Sequence, residues 1–92
     1  MSGGHFDYTQ FQIETIADSV EEIISRRGTE DYYNWSSVTM VELYTGLELL
    51  RKAAIYTQRI DWLVSGDDDQ ETFHRRLKSD LEELERKSNG NV

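Results

Sequence analysis

The sequence predicts an all-α fold, a small three-helix bundle with a central helix packed on both sides. Apolar residues recur at three- and four-residue steps in three separate stretches, the spacing that lines one side of a helix. Gly28 and Gly66 stand in the breaks between them. No stretch alternates with the two-residue period of a strand, and no internal repeat is present. The chain has 92 residues and a mass of 10.8 kDa, which suits one domain rather than two.

An arm, residues 1–7, precedes the first helix, expected over 8–27. Phe11, Ile13, Ile16, Ala17, Val20, Ile23 and Ile24 form its apolar stripe, with Glu14, Asp18, Ser19, Glu21, Glu22 and Ser25 opposite. Asp7 or Thr9 suits the N-cap; Arg26 and Arg27 suit the negative end of the helix dipole, and Gly28 the left-handed closing position. Residues 28–37 have no helical period and read as a loop. Its Tyr32, Tyr33 and Trp35 are expected to fold back as a lid over the helix ends.

The second helix, 38–64, is the most informative. Thr39 and Glu42 have the spacing of a capping box. Met40, Leu43, Leu47, Leu50 and Ala54 make one apolar seam; Leu49, Ala53, Tyr56, Ile60 and Leu63 make a second, roughly 140° around the helix. Two seams predict two partners. Tyr44, Ile55 and Trp62 line up on a third side. In the following break Gly66 closes the helix and Asp67, Asp68 or Asp69 caps the next, expected over 68–87. That helix offers only Phe73, Leu77, Leu81 and Leu84, and residues 88–92 read as a frayed tail.

Composition narrows the function. Ten Lys and Arg against eighteen Asp and Glu give a net charge of -8 and a pI near 4.6. Such a surface repels nucleic-acid duplexes and anionic lipid alike. The chain has no cysteine, which excludes disulfides, zinc thiolates and thiol nucleophiles. The N-terminal residues lack the basic and apolar regions of a signal peptide, and apolar runs fall far short of a membrane span. A cytoplasmic protein is expected.

No set of residues makes a catalytic centre, and a non-enzymatic protein without metal or cofactor is expected. An EF-hand loop counted from Asp67 would need Gly and a carboxylate where Thr72 and Lys78 stand. Glu71 and His74 have the spacing of a di-iron ligand pair, but no second such pair exists. No serine sits in a nucleophile elbow. Two segments are richer than packing requires. The arm carries Gly3, Gly4, His5, Phe6 and Tyr8; the corner after the central helix carries Arg59, Asp61, Trp62 and then His74. Together they are the candidate ligand or partner site, weighed evenly against simple docking of the arm onto the corner.

These segments, SGGHFDYTQ running into IADSVEEII and RIDWLVSGDDDQETFHRRL, resemble a family of small uncharacterised proteins of bacteriophages and prophages. The likeness covers residues 2–24 and 59–77, about half the chain. It implies an accessory phage protein working inside a bacterial cell, on host machinery or host defence, and it assigns no residue a role. The leading expectation is therefore an inhibitor or adaptor that binds a host or phage protein through an acidic surface. The alternative is a binder of a small nucleotide signal. There the Gly3 and Gly4 backbone with His5 or Arg59 would take phosphate, and Phe6, Tyr8 or Trp62 would stack on the base.

The central helix carries more apolar surface than the third helix can cover. A two-fold homodimer is the commonest remedy, and Tyr44, Ile55 and Trp62 are the expected self-association face.

Overall fold

The computed structural model describes residues 9–29 and 34–90, the last three of these as backbone only. It contains α1 (Gln10–Ser25), α2 (Ser37–Val64) and α3 (Gln70–Gly90), and no strand among the described residues. The chain is a small three-helix bundle. Both α1 and α3 pack on α2 and scarcely touch each other.

The helix ends follow local chemistry. Thr9 occupies the N-cap position of α1, but its backbone is helical and its side chain makes no capping hydrogen bond. Asp7, the other expected cap, lies outside the described residues. At the far end the Arg26 amide donates to both Glu22 and Ile23 carbonyls, Arg27 donates to Ile24, and Gly28 closes the turn at φ 81. Arg26 and Arg27 thus stand just past α1 rather than in its last turn.

Ser36 caps α2, three residues before Thr39, the expected cap. Its Oγ accepts from the Thr39 amide at 3.2 Å and its hydroxyl lies 3.0 Å from Thr39 Oγ1. Thr39 is therefore the donor in this cap, not its centre. Gly66, at φ 85, closes α2 as expected. The Trp62 carbonyl accepts from the amides of both Asp67 and Asp68, which holds those residues out of the next helix. That is why α3 starts at Gln70 and Asp69 is its cap, accepting from the Thr72 amide at 2.7 Å. The helix runs on to Gly90, so 88–90 are helical where a frayed tail was expected. No proline or glycine interrupts it before that point.

Packing uses less of α2 than its pattern offers. Among the described residues the buried apolar ones are Ala17, Ile24, Met40 and Ala54, joined by the polar Gln10, Asp61 and Asp68. The first seam faces α1, with Met40 and Ala54 buried and Leu43, Leu47 and Leu50 half-buried. Gln10 meets Asp61 and Asp18 meets Arg51, so α1 runs antiparallel to α2. The second seam does not receive α3. Leu49, Ala53, Tyr56 and Ile60 are exposed, and only Leu63 is half-buried. Instead α3 lies along the side that carries Arg59, which Asp80 holds at 2.6 Å. On that side Ile55 and Trp62 are half-buried. The extents of 49 × 27 × 16 Å describe a plate little thicker than one helix.

Candidate functional site

The corner after α2 is built around Arg59. Its position on the α3 side and its short distance to Asp80 leave the side chain only 14% exposed. Arg59 Nε donates to Asp80 Oδ2 at 2.6 Å, while Nη1 lies 4.0 Å from Asp68 Oδ2. The guanidinium stands 4.7 Å from the centre of the Trp62 ring, a cation–π stack. Asp68 is buried, and its other oxygen accepts from Arg76 Nη1 at 3.3 Å. Two arginines and two aspartates thus tie the start and middle of α3 to the end of α2. A guanidinium flanked by two carboxylates is already neutralised and offers a phosphate little net attraction.

Asp61 belongs to a different contact. It is fully buried at 0% exposure, on the side of α2 that faces α1, and accepts from Gln10 Nε2 at 3.2 Å. Burying a carboxylate in water-free surroundings costs free energy unless hydrogen bonds hold it, and Gln10 supplies one. Arg59 and Asp61 are neighbours in sequence but point to opposite partners, α3 and α1.

The structure therefore brings together Arg59 and Trp62 and separates them from Asp61. His74 is exposed on α3, its ring edge-on to Phe73 at 5.2 Å between centres. Gly3, Gly4, His5, Phe6 and Tyr8 lie outside the described residues, as do Tyr32 and Tyr33 of the aromatic loop; Trp35 is half-buried. Of the expected self-association face, Tyr44 is exposed, but Ile55 and Trp62 sit on the side that α3 covers. Among the described residues no group of three or more His, Asp or Glu side chains could hold a metal ion. Among the described residues no helix is long and apolar enough to cross a membrane.

No family model, curated protein or solved structure matches this chain. Its surfaces must speak for themselves. Two of them stand out. The first is the outer side of α1, where Glu14, Asp18, Glu21 and Glu22 are all exposed. Arg51 reaches this side from α2, placing Nη1 2.8 Å from Asp18 and Nη2 3.7 Å from Glu21. Its side chain is 24% exposed against 70% for Asp18, so the cation faces inward and the acids outward. The second is the open second seam of α2, with Leu49 61% exposed and Tyr56, Ile60 and Val64 beside it. The helical pattern showed both sets of residues; which of them would be left uncovered depended on where α3 docked.

Proposed function

We propose that this chain is a non-enzymatic binding protein that engages a host or phage protein through the acidic side of α1. The observation that carries the reading is the placing of charge along α1. Arg51 and Arg59 are half-buried and held by carboxylates of neighbouring helices, while Glu14, Asp18, Glu21 and Glu22 face solvent. Arg51 stands behind the acids and Arg26 pairs with Glu22 at 3.9 Å, so four carboxylates against two cations leave a net negative field on this side. Such a field speeds encounter with a basic surface and favours it over acidic competitors. The resemblance to phage accessory proteins supplies the setting, a bacterial cytoplasm and a target in host machinery or host defence. Of the two side chains open to phosphate in the nucleotide-binding alternative, Arg59 is engaged by Asp80 and Asp68, which favours His5 for that role.

Pull-down from bacterial lysate at low and moderate salt tests the reading, with wild type beside the double charge reversal Glu14→Lys, Glu22→Lys. Neither residue contributes to the buried core. A discrete partner captured at low salt, weakened by added salt and lost on reversal supports it. No specific partner at either salt, or capture indifferent to the reversal, refutes it.

A further inference from the structure

We propose that two copies of this chain pair antiparallel through the open second seam of α2. Leu49, Ala53, Tyr56, Ile60 and Leu63 step by four and three residues alternately, and Gly46 extends the series by one step. That is the stepping of a coiled-coil seam, which mates with a helix of the same period. Among the described residues nothing occupies it, since α1 and α3 both lie on other sides of α2. A second α2 fits without displacing either neighbour.

Side-chain volumes choose the direction. In an antiparallel pair centred between Ala53 and Tyr56, Gly46 meets Leu63, Leu49 meets Ile60 and Ala53 meets Tyr56, each twice by symmetry. Every small residue then faces a large one. A parallel pair would instead set Gly46 on Gly46 and Tyr56 on Tyr56, leaving a gap at one layer and crowding at another. Gly46 supports this independently. A Cβ placed there would meet nothing within 4 Å, so the chain's own packing gives no reason for glycine inside a helix that it weakens. The Leu63 side chain of a second copy provides one.

The area suffices for a specific contact. Leu49, Ala53, Tyr56, Ile60, Leu63 and Val64 leave on the order of 500 Å² uncovered in each copy, so pairing removes at most about 1,000 Å² in total from these residues, the lower bound for a specific interface. The cations that flank the seam already have partners, Lys52 with Glu48 at 3.5 Å and Arg59 with Asp80. The acidic side of α1 stays free in the pair, so this inference and the proposed function stand or fall separately.

Sedimentation at micromolar concentration, with wild type beside Leu49→Glu, measures the association. Leu49 is 61% exposed, so its replacement leaves the helical circular dichroism of each copy intact. The expected result is a wild-type species of twice 10.8 kDa and a weakening by at least about 100-fold in the variant, because symmetry places the new charge in the contact twice. Gly46→Leu, which improves the helix, is also expected to weaken pairing. Disulfide trapping fixes the direction. Leu49→Cys mixed with Ile60→Cys should link, and neither alone should, because like positions then stand about 16 Å apart along the axis. A wild-type monomer, an assembly indifferent to Leu49→Glu, or self-linking of Leu49→Cys overturns the proposal.

Discussion

Asp80→Ala is expected to loosen α3 from α2 and to cost about 2 kcal/mol. The residue donates nothing to the apolar core; it acts through Arg59 Nε at 2.6 Å. A hydrogen bond between charged groups contributes about 1.5–3 kcal/mol, and breaking a fully buried pair costs about 3–5. Asp80 is 31% exposed, so solvent screens part of the pair and the upper range does not apply. After the change Arg59 keeps Asp68 at 4.0 Å and the Trp62 face at 4.7 Å, which softens the loss again. About 2 kcal/mol lowers Tm by roughly 8–16 °C in a chain of this size. Urea unfolding followed by tryptophan fluorescence and by helical dichroism measures it, with amide exchange showing the largest loss of protection in α3. Asp18→Ala is the control. Its carboxylate is 70% exposed, so removing its pair with Arg51 should cost less than about 1 kcal/mol. If Asp80→Ala proves no more costly than Asp18→Ala, Arg59 does not fasten α3 and the argument is wrong.

Two further outcomes follow from the helix starts. Ser36→Ala should destabilise the fold by about 1 kcal/mol, because the Thr39 amide loses its only capping acceptor; an unchanged urea midpoint would show that water replaces the hydroxyl at no cost. Asp69 is held below its ordinary value of 3.8, first by the hydrogen bond from the Thr72 backbone, then by that from the Thr72 side chain, with Arg75 adding a smaller attraction. Its contribution is therefore complete above pH 3.8 and fades as pH falls through the lower folded value. The Thr72 amide resonance should titrate below pH 3.8, and a midpoint at or above it would contradict the cap.

Periodicity made the helices legible because each carries a stripe that must be buried. It also showed that α2 has more than one apolar side. What it could not show was the order in which those sides are filled, since a seam of Leu, Ala, Tyr and Ile looks the same whether α3 or another chain covers it. With few apolar residues of its own, α3 made that choice through charge. Asp68 and Asp80 stand on α3's approach, and Arg59 lies on α2's third side, so the ion pairs pulled α3 there. The capping errors have the same character. Thr39 and Glu42 have the right spacing, but Ser36 lies one turn earlier and its hydroxyl reaches the Thr39 amide first. Sequence spacing finds candidates for a cap; the extended backbone of Ser36, at ψ 163, decides which one can serve.

The candidate site was half legible for a related reason. Arg59, Asp61 and Trp62 are neighbours in sequence and look like one constellation, but two residues along a helix are a turn of about 200°, which sends Arg59 and Asp61 to opposite sides. Trp62 is one further step on and returns beneath Arg59. A dense polar motif inside a helix therefore describes two contacts rather than one pocket. The same geometry gives α2 its particular position in the molecule. With Asp61 fastening α1 on one side and Arg59 fastening α3 on another, the side between them around the far arc is left with apolar residues and no ionic fastening of its own. Polar contacts fix which way the two neighbours attach, and the apolar seam left over is the face proposed for pairing.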